Sequence, residues 1–160
     1  KKSAAHWASY LVKQGNVDPH TSTQIGIRGN PRTLDWLQAS YDIGYQVITI
    51  DEYKELGHEK CSKMILDRLG DNPIYVTFDL DCLDATVAPG TANLEPAFNG
   101  FNIDEARKLI QCLKGKNVIG GDVACLMPTK DSPNQITSMV AASIMFEIIC
   151  LISLNLNKIK

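Results

Sequence analysis

The chain has 160 residues, 44% of them apolar and 21% charged, with a formal net charge of −2; this suits one domain with a sizeable core. It has no basic surplus or Lys/Arg run, so neither charge nor pattern points to nucleic acid. Five scattered cysteines (Cys61, Cys82, Cys112, Cys125 and Cys150), without a C-x-x-C pair, argue against a secreted disulfide framework and for a reducing compartment.

The N-terminal run KKSAAHWASYLVKQG has no apolar stretch of the signal-peptide kind. The chain begins without Met and almost directly in a helical pattern, so an N-terminally truncated chain is expected, with 1–160 as a single α/β domain. Ser3–Gln14 has helical spacing, with Trp7, Tyr10, Leu11 and Gln14 on one face and Gly15 as a stop. Thr21–Ile27 alternates as a strand and ends in the turn cluster Arg28-Gly29-Asn30-Pro31. A short helix is predicted over Thr33–Ala39 and a strand over Gln46–Ile50. Glu52–Leu69 reads as one helix that buries Leu56, Cys61, Met64, Ile65 and Leu69. Pro73–Phe78 reads as a buried strand. Asn102–Leu113 reads as a helix capped by Asn102, with Glu105 three residues on. Asn117–Asp122 is a strand. The last helix, from Ser132 to about Leu154, is entered through Ser132-Pro133. Its apolar run Ile144–Leu156 is shorter than the ~20 residues that span a bilayer, so a buried closing helix is expected and no membrane partner.

Strands alternating with helices imply βαβ units, a parallel sheet flanked by helices and right-handed crossovers. Ligands gather beyond the carboxyl ends of such strands. Asp79, Asp81, Asp122 and the turn after Ile27 all fall there. The richest segment is Tyr75–Phe101, YVTFDLDCLDATVAPGTANLEPAFNGF. Its strand runs into Asp79 and Asp81, and residues at i and i+2 of a strand share a face, ~7 Å apart. Neighbouring carboxylates repel unless protonated or bound to a cation. Their hard oxygens suit Mg, Ca or Mn, either as one ion or as a bridged pair. The bland alternative is a turn-capping Asp81 beside a solvated Asp79.

The segment resembles the ureohydrolase (arginase/agmatinase) signature F-D-I/V-D-x-I/L-D-P-x-x-A-P-G-T-G-T-P-E-P. Phe78, Asp79, Asp81, Leu83, Asp84, Ala88, Pro89, Gly90, Thr91, Glu95 and Pro96 match in order. Gln24-Ile25-Gly26-Ile27-Arg28-Gly29 is similar to the family's Q-I-G-I/L-R strand. Gly121-Asp122-Val123 with Met127-Pro128 is similar to its G-x-D-I/V-x-E-V/L-x-P strand end. The resemblance covers essentially the whole chain but only about the C-terminal half of the family's fold. It implies an arginase-like three-layer α/β/α domain. It also implies two Mn ions holding a bridging hydroxide, which attacks a guanidino or amidino carbon and releases urea or an equivalent. Asp79 would bridge both metals, Asp81 would ligate one, and Asp84 would brace the loop. Ser3 and His6 match the family's S-G-N-x-H-G segment loosely, with His6 as proton shuttle and Ser3 at the substrate. Glu95-Pro96 places the chain nearer agmatinases and guanidinobutyrases than strict arginases. A homo-oligomer, trimer or hexamer, is implied, in the cytoplasm, or in mitochondria if a transit peptide lies upstream.

The chain departs from the pattern in three places. The upstream ligand segments G-G-D-H and D-x-H-x-D are not in it. Cys125 stands where the family's substrate-gripping Glu belongs, and a neutral thiol cannot make a carboxylate's charge-assisted bidentate contact. Ala92-Asn93-Leu94 replaces G-T-P. A catalytically silent relative with an assembly or regulatory role is therefore the alternative reading. A receiver-like phosphoacceptor module fits less well, because Asp79 and Asp81 sit mid-chain and no Lys ends the Asn117–Asp122 strand.

Overall fold

Parallel pairing organises the chain. In the computed structural model, which describes residues 6–31, 33–94 and 98–156, β1 (Thr23–Ile27) pairs with β2 (Gln46–Thr49) and β3 (Ile74–Asp79) with β4 (Val118–Ala124). Both pairs are parallel, and each has helical crossovers. Parallel sheets flanked by helices are thus present as expected. Among the described residues the strands form two separate pairs.

The helices are α1 (Trp7–Lys13), α2 (Gln38–Ile43), α3 (Ile50–Leu56), α4 (His58–Leu69), α5 (Ile103–Gln111) and α6 (Ile136–Leu156). Three differ from the sequence reading. The short helix expected over Thr33–Ala39 begins only at Gln38, after a turn, and stops at Gly44 in the left-handed region. Leu34 and Trp36 are both exposed. The single helix expected over Glu52–Leu69 is two, broken at Gly57 with φ 81 and ψ 162, a conformation a side chain would oppose. A capping box between Thr49 and Glu52 starts the first of them earlier than expected. The buried face is otherwise as read: Cys61 is fully buried, and Leu56, Met64, Ile65 and Leu69 pack against the core. The capping box of Asn102 and Glu105 opens α5 as expected.

The last helix does not start at Ser132-Pro133. Gln135 adopts φ 55, and α6 begins at Ile136. The Asp131 carboxylate accepts from the amides of Thr137 and Ser138 and from the Ser138 hydroxyl, so it caps the first turn from outside the helix. Burial pushes this carboxyl up, but the bonds from Ser138 and Thr137 outweigh it and hold the group well below the usual carboxylate range. A carboxyl depressed by folding stabilises fully above its unfolded value, here 3.8, and loses that contribution as pH falls through the folded value. Asp131→Ala is therefore expected to melt below the parent at neutral pH, with the gap closing in acid. Circular-dichroism melts across an acid titration check this.

α6 has 21 residues, with an 18-residue window of mean hydropathy 2.1, long and apolar enough to cross a membrane by length and composition. The run is longer than the sequence reading allowed, and it is only partly buried. Thr137, Val140, Ala141, Ile144, Ile148 and Leu151 face the core, and the helix lies along β4 and α5. Met139, Phe146, Ile149 and Leu154 are exposed on the other side. Strand β3, expected to be fully buried, alternates instead. Ile74 is buried and Val76 and Phe78 pack on the core, while Tyr75, Thr77 and Asp79 face outward. Beyond β3, Leu80, Leu83, Ala88 and Phe101 anchor the functional loops in the core, with Phe101 edge-on to Tyr53 at 4.8 Å.

Candidate metal centre

The acidic pair is not two steps along one strand. β3 ends at Asp79, and the chain enters a tight turn over Leu80–Cys82. Asp79 Oδ1 accepts from the Asp81 amide at 2.9 Å, so Asp79, rather than Asp81, caps the turn. The turn nevertheless brings the two groups together with a third. A carboxylate oxygen of Asp79, one of Asp81 and Sγ of Cys125 all lie within 4.8 Å of one another.

Cys125 is placed by the loop that follows the acids. Ala92 N–H donates to the Cys125 carbonyl at 2.9 Å, Thr91 bridges Leu126, and Met127 N–H donates to the Gly90 carbonyl at 2.8 Å. The A-P-G-T run therefore zips onto the segment beyond β4. Cys125 sits at φ 67, a left-handed backbone that costs a non-glycine residue of order 1 kcal/mol and that these bonds hold in place. Burial pushes its thiol up to about 12, helped by its hydrogen bond to Asp79 and by the charges of Asp79 and Asp81. Burial, aided by the Asp79 charge, likewise pushes Cys82 up to about 12. Both thiols are therefore neutral near pH 7.

Each acid has a distinct set of partners. Asp81 is gripped at both oxygens by Asn93, whose amide and side-chain N–H groups each donate at 3.2 Å. Sequence reasoning missed Asn93 as a site residue; its signal was there, as the departure from G-T-P. Asp84 does what was expected of it. It accepts from the Thr86 amide and hydroxyl and from the Gly100 amide, closing the loop at its base. These bonds hold its carboxyl below the usual range, the Thr86 hydroxyl most strongly. Asp122 neither ends a strand nor makes a turn. It lies within β4, where Thr77 donates to it at 2.9 Å.

Arg28, just past β1, ties loops together. It does so through carbonyls, donating to those of Asp81, Leu83, Leu94 and Phe98. One guanidinium thus fixes both ends of the loop around the acids. Charge-assisted hydrogen bonds contribute roughly 1.5–3 kcal/mol each, so Arg28→Ala is expected to lower unfolding stability by about 3 kcal/mol or more. Arg28→Lys is expected to recover little of this, because an ammonium lacks the planar fork. Urea unfolding of the three proteins checks the order. An open cleft of about 280 Å³ adjoins this clasp, with Arg28, Trp36, Thr49, Asp51, Phe98 and Asn99 on its walls.

The remaining sequence-derived positions fall as follows. His6 lies exposed at the start of α1, which packs on α2. Ser3 and Glu95-Pro96 lie outside the described residues. His20 is on the surface, whereas His58 is half-buried beside Ser62.

A parallel α/β chain whose carboxylates converge on one point beyond the strand ends has the layout of a metal-centred α/β protein. The Arginase family model matches residues 1–151, and this chain belongs to that family. It is 36% identical to the agmatinase of Salmonella paratyphi B over 137 residues, 86% of this chain and 41% of that protein. The proclavaminate amidino hydrolase of Streptomyces clavuligerus superposes with a TM-score of 0.82 at 32% identity, over 92% of this chain and 47% of that one. A hypothetical agmatinase from Burkholderia thailandensis gives 0.76 at 34% identity, over 90% and 42%. The chain thus spans less than half the length of these relatives.

Proposed function

We propose that this chain supplies part of the active site of a divalent-metal hydrolase that cleaves guanidino or amidino C–N bonds, of agmatinase or guanidinobutyrase type. The observation that carries this reading is the convergence of Asp79 and Asp81 at one point, in a chain with agmatinase relatives. Their donor chemistry fits hard divalent cations, two Mn²⁺ in this reading, which Asp79 and Asp81 would hold, Asp79 as the shared ligand and Asp81 as ligand to one. Two carboxylates do not fill two such coordination shells, so the centre needs further donors.

Bound there, paired cations supply a hydroxide near neutral pH by acidifying a shared water. The protein's own part is positioning. Asn93 fixes the Asp81 carboxylate, Arg28 and Asp84 hold the surrounding loop, and the wall bearing Cys125 faces the same point. His6 as proton shuttle and Ser3 at the substrate belong to this proposal too. So does a cytoplasmic or mitochondrial setting, which the five free cysteines support. A homo-oligomer belongs to it as well.

Cys125 in place of an acid favours a second reading, a silent relative kept for assembly or regulation. The intact protein, loaded with Mn²⁺, is to be assayed on agmatine, guanidinobutyrate, guanidinopropionate, arginine and guanidine. Turnover of any one rejects silence. No turnover across the panel rejects the hydrolase reading.

A further inference from the structure

We propose that Cys125 is itself a metal ligand, and that its sulfur makes the Asp79–Asp81 centre a mixed carboxylate–thiolate site preferring zinc-class cations over manganese. The inference rests on the reading of the two acids as metal ligands and deepens it. Its basis is placement. The sulfur and one oxygen from each acid already lie within 4.8 Å of one another. A cation common to all three, with bonds of ~2.3 Å to sulfur and ~2.0–2.2 Å to oxygen, draws the donors to about 3.5 Å apart. The movement required is about an ångström, within reach of side-chain rotation.

The backbone is not free to carry the sulfur elsewhere. The Cys125 carbonyl is bonded to Ala92, Leu126 is bridged to Thr91, and Asp81 is held by Asn93 in the same loop. The sulfur lies within 4.8 Å of a carboxylate oxygen of each acid, so it points at them. Binding a cation at the sulfur releases the thiol proton to solvent and leaves sulfur bonded to metal. Sulfur is a soft donor and discriminates: thiolate ligands favour Zn²⁺ and its relatives, whereas Mn²⁺ prefers oxygen. Two carboxylates alone would exert no such bias beyond the general order in which zinc exceeds manganese.

The test uses the full-length protein stripped of metal and titrated with Co²⁺, read as a sulfur-to-cobalt charge-transfer band in the near ultraviolet. The band is expected in the parent and in Cys82→Ala, which removes the neighbouring sulfur, and is expected to vanish in Cys125→Ser. Competition dialysis is expected to show Cys125→Ser weakening Zn²⁺ at least as much as the ~10–100-fold that loss of a supporting partner costs, with Mn²⁺ binding little changed. Cobalt bound without the band, or a band that survives in Cys125→Ser, overturns the role of Cys125 and leaves the acids as ligands. Cobalt bound equally well by Asp79→Asn overturns the metal reading of the acids as well, as does failure of the parent to bind any of the three cations.

Discussion

On the proposed hydrolase function, Asp79→Asn or Asp81→Asn in the intact protein is expected to remove metal-dependent turnover of a guanidino or amidino substrate. The loss should exceed the ~100-fold that disturbing a partner behind a ligand can cost, because the ligand itself is gone. The substitution is chosen so that folding does not explain the result. Asp79 caps the Leu80–Cys82 turn through one oxygen, and an amide carbonyl at the same place still accepts the Asp81 N–H. Asp81 receives an amide and a side-chain N–H from Asn93, and in Asp81→Asn the new side-chain carbonyl can keep one of the two. Both variants should therefore melt near the parent while losing bound metal and turnover. Unchanged turnover in either would remove that residue from the centre.

Gly26→Ala is expected to destabilise the scaffold strongly. Gly26 lies in β1 at φ 81, where the register with β2 slips between Ile25 and Ile27. An added Cβ would sit 2.1 Å from Cε2 of Phe101, which is 2% exposed and packed edge-on to Tyr53. Left-handed backbone costs a side chain about 1–2 kcal/mol and overpacking a further ~1–3 kcal/mol. The ring has nowhere to go, since its residue also closes the loop base through bonds to Cys82 and Asp84. A loss of about 3 kcal/mol or more is expected in urea unfolding, with weakened metal binding in the fraction that folds. A loss below about 1 kcal/mol would show that Phe101 repacks freely.

Much of this was legible in the sequence where a local rule acts alone. The Asn102–Glu105 capping box, the β1 and β2 strands and the acids at a strand end are set by neighbours within a few residues. The failures have tertiary causes. Periodicity carried Glu52–Leu69 straight through Gly57, because the apolar face continues on both sides of the break. Pro133 suited a helix start, yet the cap that decides it is Asp131, reaching forward to residues 137 and 138. The alternation of β3 depends on which face is covered, which no local pattern states. At the site, the A-P-G-T run identified the loop. Its purpose, pairing with residues 125–127, appears only in three dimensions. Asn93 was visible only as a mismatch, and its grip on Asp81 could not be read from spacing.

Anomalous scattering from crystals of the intact protein grown with manganese tests the central claim most directly. A peak within coordination distance of both Asp79 and Asp81 is the expected result. Full-occupancy manganese elsewhere, with nothing between these two carboxylates, would contradict it.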